Sequence, residues 1–374
     1  MAEEAVQESA AGKAKAFFKR KDIEISVQRY LIDALGAMAQ GLFASLLMGT
    51  ILATIGQQAG IPLLVEIGDF AKSAAGPAMA VAIAFALKSP SLVLFSMVAV
   101  GYAANSLGGA GGPLAVLVVA VIASECGKVV AGETKIDILV TPLVTIVVGC
   151  LISIACAPAI GAAATWVGSL IMWATELQPL FMGIVVSALV GIALTLPISS
   201  AAICAALGLT GLAGGAAVAG CCAQMVGFAV MSFRENRWGG LISQGLGTSM
   251  LQMGNIVRNP RIWIPPTLAS MITGPIATCV FQMKMNGAAI SSGMGTCGMV
   301  GPIGVYTGWV ADVASGAMAA ITAFDWLGLV LICFVLPAVL TWAFGLVLRK
   351  IGWIKPGDLT LESADSMVAK KQEA

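Results

Sequence analysis

The chain has 374 residues, of which 59% are hydrophobic and only 10% charged, and its mean hydropathy is +0.95. Soluble domains carry about 25% charged residues, so this composition describes a polytopic membrane protein. Twenty Lys and Arg balance nineteen acids, which argues against a nucleic-acid partner, and the absence of any histidine removes the commonest general base, metal ligand and phosphoryl acceptor.

Nine cysteines, among them Cys126, Cys150, Cys204, Cys221, Cys222 and Cys333, sit in apolar segments without CxxC spacing. They give neither a disulfide framework nor a metal site, and no cofactor is expected. The first 33 residues are charged and lack the short apolar run and small-residue cleavage site of a signal peptide, so the first hydrophobic segment is expected to stay in the protein.

Over residues 11–33, Lys13, Lys15, Lys19, Arg20, Lys21 and Arg29 alternate with Phe17, Phe18, Ile23, Ile25, Tyr30 and Leu31. The pattern predicts a basic amphipathic helix on the cytoplasmic leaflet, within a segment 1–33; a solvated tail is the simpler alternative. Apolar segments follow at 35–56, 74–88, 91–105, 113–131, 138–160, 180–196, 211–231, 262–281 and 326–348, with a weaker one at 301–320. The fold class is therefore all-α: an inner-membrane bundle of about eight to ten transmembrane helices in a domain 34–350. Arg349, Lys350, Lys355, Lys370 and Lys371 mark 351–374 as a cytoplasmic tail, and both termini are expected in the cytoplasm.

Several segments read as broken or re-entrant. Lys88-Ser89-Pro90 divides two short runs and Pro197 cuts the stretch 180–208. Such interruptions place half-helix ends and free backbone groups at a binding region, although Pro and Gly are also commoner in membrane helices generally. GxxxG spacing at Gly108/Gly112, Gly211/Gly215 and Gly304/Gly308 permits close helix packing.

The most polar interruption is Ser243-Gln244-Gly245-Leu246-Gly247-Thr248-Ser249-Met250, echoed by Gly293-Met294-Gly295-Thr296-Cys297-Gly298-Met299. Irregular backbone at membrane depth must be buried or line a cavity. Gln244, Gly245, Gly247, Thr248, Ser249, Gln252, Asn255, Asn259, Gly293, Gly295, Thr296 and Gly298 are thus candidate binders of a hydroxyl-rich solute, since they combine donors, acceptors and close backbone approach. Small polar residues also pack helices against one another, and that reading stays open. Arg258 and Arg261 flank Asn259-Pro260 and are candidates for a phosphate, while Arg261 with Trp263 also suits a membrane interface. Glu125 is a candidate coupling site, with an i,i+3 pair to Lys128 as the simpler explanation. Glu66, Asp69 and Lys72 read as a solvated loop, and so does Arg234-Glu235-Asn236-Arg237; Asp312 and Asp325 read as interfacial. No catalytic residue stands out, because no phosphate-binding loop, Ser/His/Asp set or nucleophile elbow is present.

The run from Gln244 to Gln252, then Asn259-Pro260, Ile264-Pro265-Pro266-Thr267-Leu268-Ala269-Ser270 and Gly293 to Gly301, resembles the integral membrane IIC component of the bacterial phosphoenolpyruvate-dependent sugar phosphotransferase system. The similarity is to the branch that includes the perfringolysin-regulator-like membrane proteins, and it extends over about residues 30–350. It implies an all-helical inner-membrane protein, a homodimer, that carries a sugar while a separate cytosolic IIB protein supplies phosphate. At most the chain would be the membrane subunit of a protein-N(pi)-phosphohistidine–sugar phosphotransferase. Members that carry glucose and oligosaccharides use a histidine and a glutamate near the sugar, and here there is no histidine to match. Two further readings follow: a membrane sensor that keeps this fold without phosphotransfer, and a gradient-driven permease using Glu125 or Glu66.

Overall fold

The structure is a computed structural model and describes residues 16–361. Among these the chain is helical throughout, and β pairing is confined to an isolated bridge between Gly211 and Met285. The first long helix, α1 (Gln28–Ala59), ends at Gly60 and turns into α2 (Pro62–Ser73) and α3 (Ala75–Ala86). The apolar stretch Ser91–Val130 is a hairpin, α4 (Ser91–Gly108) and α5 (Gly112–Val130), in which Ser124 reaches back to the sulfur of Met97. Then come α6 (Asp137–Thr175), α7 (Pro179–Thr195), the short α8 (Ser200–Ala206) and α9 (Gly211–Met231). The remaining chain forms α10 (Phe233–Ile242), α11 (Met253–Arg258), α12 (Ile264–Pro275), α13 (Val300–Ala314) and α14 (Ala323–Lys350).

Five apolar helical stretches, α1, the α4–α5 hairpin, α6, α9 and α14, are long enough to cross a hydrocarbon core about 30 Å thick. The shorter apolar helices α3 and α7 pack among them. α9 is the axis of its half of the molecule. It is nearly all Gly, Ala, Val and Cys, is buried along almost its whole length, and packs on α7, α12 and α14. Small side chains make this possible, because lipid supplies no hydrophobic drive between helices and close van der Waals approach must hold them together. The same device joins α3 to α4, where Gly76 and Gly101 lie backbone to backbone and a Cβ on either would collide with the carbonyl of the other.

Four expectations are corrected. The basic segment is not one helix over 11–33: among its described residues, 16–20 are helical, the chain turns at Lys21 and Asp22, and α1 starts at Gln28. Residues 11–15 lie outside the described part. Asp22 takes φ 52°, and the turn is tied down by Arg29–Asp22 at 2.6 Å and by Arg20 and Lys21 on Glu133 at 2.7 and 2.5 Å. Burial tends to raise the Asp22 carboxyl pKa, but the bond and charge of Arg29 override it and hold the group below its ordinary value. Second, the presumed loop around Glu66 is α2, with Pro62 in its first turn and an Asp69–Lys72 pair of 2.7 Å at i,i+3. Third, the span starting near 138 does not end at 160. Pro158 sits inside α6, which runs on to Thr175, as membrane helices tolerate prolines that would end a soluble helix. The presumed loop at Arg234–Arg237 likewise belongs to α10, broken at Arg237 (φ 51°), and its Glu235 pairs with Arg349 of α14 at 2.9 Å.

The chain breaks at Lys88-Ser89-Pro90 and Pro197 are present: Lys88 adopts φ 58°, and α7 stops at Thr195.

Replacing Gly101 by Leu should drive α3 and α4 apart and cost about 1–3 kcal/mol, seen as a lower thermal unfolding midpoint in detergent. Gly36→Ala, where an added methyl meets open space within a helix, should leave the midpoint unchanged or slightly raised.

Candidate functional site

The Gly-rich segments lie between α1 and α9. After α10 the chain makes a π turn (Ser243–Gly247), extends at Thr248 (φ −158°, ψ 142°) and re-enters a 3-10 turn (Ser249–Gln252) before α11. Gly247 is required where it stands: a Cβ there would fall into the ring of Phe43 on α1. The second segment approaches from the other side. Gly295 takes φ 54°, a conformation that favours glycine, and a Cβ there would collide with Cys221 and Cys222 of α9. Gly298 also has positive φ and abuts Ile51 of α1, while the Gly293 carbonyl accepts a 2.7 Å hydrogen bond from Ser200. Thr296 is fully buried and points its hydroxyl at the sulfur of Met225. Gly245 meets its neighbour, Ala229, at ordinary contact distance.

Between these segments and the first three helices lies a cavity of about 190 Å³. Its polar lining is Lys72, Asn105, Ser199, Ser200 and Thr248, set among Leu42, Leu46, Met79, Leu194, Ile198, Met250 and Met294. Four elements meet there because each is interrupted at this level: α4 ends in Gly109 (φ 51°), α7 stops before Pro197, and both Gly-rich segments leave helical geometry. Thr248 is the one candidate binder from the sequence that lines this cavity. Its hydroxyl already accepts from the Met250 amide at 3.1 Å and retains its own proton to donate.

The other amides have a different neighbour. Gln244 donates to Ser232 at 2.8 Å and accepts from Gln252 at 2.9 Å; Gln252 accepts from Asn255 at 2.8 Å. The ladder ends on backbone carbonyls of the C-terminal segment: Gln252 on Leu359 (3.0 Å), Asn255 on Thr360 (2.9 Å) and Asn259 on Trp353 (2.9 Å). Arg261 stacks over the Trp353 ring at 5.1 Å, and Arg258 lies 4.0 Å from Asp33 at the start of α1. Both candidate phosphate ligands thus stand where the start of α1 meets the C-terminal segment. Glu125 lies apart from the cavity, accepting a 3.2 Å hydrogen bond from the buried Lys128, with Arg29 and Tyr30 alongside.

Sequence reasoning missed Gln224. It is fully buried halfway along α9, where its carbonyl oxygen accepts from Trp263 Nε1 at 3.0 Å and from Thr195 at 3.3 Å, and its amide donates to Thr267 at 3.3 Å. Thr195 in turn shares a 2.8 Å hydrogen bond with Ser249. The signal was available: a lone glutamine in an apolar span is costly unless partnered, and its partners mark the polar centre of a bundle. Asn105, Ser199 and Ser200 carried no such signal, because each sits at the edge of an apolar run where a loop residue is equally expected.

An all-helical membrane protein whose broken helices converge on an internal cavity is built as a permease is built. The whole of this region, residues 32–361, matches the family model of the phosphotransferase system, EIIC. The chain belongs to that family and is a multi-pass sugar-transport membrane component of the phosphotransferase system. No curated protein and no solved structure matches it.

Gln224→Leu should leave Trp263 Nε1 without its acceptor and lower stability by about 1–3 kcal/mol. Tryptophan fluorescence during thermal unfolding would report it. Ser249→Ala, which removes one hydroxyl at the edge of the network, should cost less than Gln224→Leu.

Proposed function

We propose that the chain binds a sugar or a related small polar solute in the 190 Å³ cavity and moves it across the membrane. The observation that carries this reading is the convergence of interrupted helices on a cavity whose polar groups are an amide, hydroxyls and one lysine. Asn105, Ser199, Ser200 and Thr248 would hold hydroxyls, which both donate and accept, and Lys72 would only donate, to a lone pair or an anionic group. The leucine and methionine walls suit the apolar faces of a sugar ring.

The C-terminal segment lies on the face that carries Arg234, Arg258, Arg261, Arg349, Lys350 and Lys355. By the positive-inside rule this face is cytoplasmic. Any phosphoryl transfer would belong to a separate IIB protein docking there, with the membrane chain presenting the solute hydroxyl; Arg258 and Arg261 stand where a phosphate would arrive.

A sensor with the same fold is favoured by one observation, the occupation of the Gln252, Asn255 and Asn259 amides by the chain's own C-terminal segment. A gradient-driven permease would work through Glu125, although its partner in this structure is Lys128.

Proteoliposomes containing only this protein, loaded with or without phosphoenolpyruvate and the soluble phosphotransfer proteins, separate the readings with a panel of labelled sugars. Sugar phosphate accumulating only with the soluble proteins supports the phosphotransfer permease. Binding without flux for the sugar that binds best would support the sensor, and uptake abolished by a protonophore or by Glu125→Gln the gradient-driven reading. Within the first reading, Thr248→Val should weaken binding of the transported sugar by about 1–3 kcal/mol, measured by calorimetry in detergent.

A further inference from the structure

The wall between the central cavity and the terminal face is one residue thick. A second cavity, of about 460 Å³, opens beside Asn236, Ser243, Thr360 and Leu361, and its inner end is made by Phe43 and Leu251. Leu251 lines this outer cavity while its chain neighbour Met250 lines the central one; on α1, Phe43 lines the outer cavity while its neighbour Leu42 lines the central one. The closure is completed where the Phe43 ring lies against Gly247.

This wall is irregular backbone between two anchors, the second tied directly to the C-terminal segment and the first tied to it through Gln252. Before it stands Gln244, bonded to Gln252; after it stand Gln252 and Asn255, bonded to the carbonyls of Leu359 and Thr360. Asn236 fastens the segment a second time, donating to the Leu359 carbonyl at 2.7 Å and accepting from the Leu361 amide at 2.8 Å. The Leu359 and Ile354 side chains are buried. Residues 351–361 therefore form a strap held mainly by side-chain amides on its backbone carbonyls, with one further bond from Asn259 to the Asp358 carboxylate at 2.7 Å. The wall has the local irregularity that permits a discrete rearrangement: a π turn, a single extended residue and a 3-10 turn, with a glycine at the point of contact.

We propose that residues 351–361 are the latch of a gate formed by Phe43 and the Gly247–Leu251 segment, and that the strap detaches for the central cavity to open on the terminal face. The inference rests on the transport reading only for its consequence in flux; the mechanical claim, that strap release exposes the cavity, stands on its own.

The test uses full-length protein in which the cysteines with exposed surface, Cys126, Cys150, Cys156 and Cys279, are replaced by serine. Ser243→Cys and Leu361→Cys, which leave the latch amides in place, are joined by a short, cleavable bifunctional thiol reagent. With phosphotransfer proteins present, the tether should reduce sugar uptake by about tenfold or more, and cleaving it should restore uptake; undiminished uptake by the tethered protein overturns the proposal. Should the untethered protein move no sugar, the transport reading fails and the gate is judged by labelling alone. Thr248→Cys is then exposed, from the strap's side, to a membrane-impermeant maleimide. Leu359→Ala, which weakens the strap's buried anchor, should raise the labelling rate by about tenfold or more. Equal rates with and without that substitution overturn the gate.

Discussion

Polar groups at the centre of a membrane protein have no water to fall back on, so each must be answered by another part of the chain. In this molecule the requirement converges on Gln224. From the middle of the most buried helix it accepts from Trp263 and Thr195 and donates to Thr267, and through Thr195 it reaches Ser249 in the first Gly-rich segment. Three elements, α7, α12 and the 243–252 turn, are thereby fixed in register against α9. The position of Thr248, one residue from Ser249, follows from that anchoring, and with it one wall of the central cavity. A network of this kind is sensitive to any missing member, since a half-satisfied buried amide is worse than an apolar side chain of the same size.

Close helix approach is the second condition, and glycine supplies it in two ways. Where helices cross, as at Gly76 and Gly101, missing side chains let backbones touch and gain dispersion contacts that lipid would otherwise make. Where the chain turns inside the membrane, as at Gly295, glycine makes a left-handed backbone possible against the wall of α9. The first use builds the bundle, and the second creates the interruptions that leave room for a cavity. The high glycine content reflects both.

The central cavity is bounded toward the terminal face by Phe43 of α1 and by aliphatic side chains on a single turn of irregular backbone, and that turn is held through amides by the C-terminal strap. The strap lies within the region that matches the EIIC family model, which runs to residue 361. Its carbonyls satisfy Gln252, Asn255 and Asn259, residues that by composition alone appear free to bind a solute. Amide side chains are indifferent to whether the oxygen they meet belongs to a sugar or to a peptide, so donor and acceptor inventory cannot separate a binding site from a tertiary latch.

The sequence by itself determined the class of the protein and most of its spans, because hydrophobic length and the scarcity of charge are local properties that lipid enforces on every segment alike. It also located the irregular segments at 243–252 and 293–299, since glycine and polar residues in an apolar background are readable without any neighbour. Where the reading failed, a local signal was outvoted by packing: Pro158 did not end α6, and the charges of α2 disguised a helix as a loop. Tertiary structure alone decided which polar residues share a space. It set Thr248 beside Asn105, Ser199 and Lys72, which come from four separate parts of the chain, gave the amides of 244–259 to the C-terminal strap, and paired Glu125 with Lys128 away from the cavity. Proximity across such sequence distances is set by how the helices cross, and crossing depends on the small residues of many helices together.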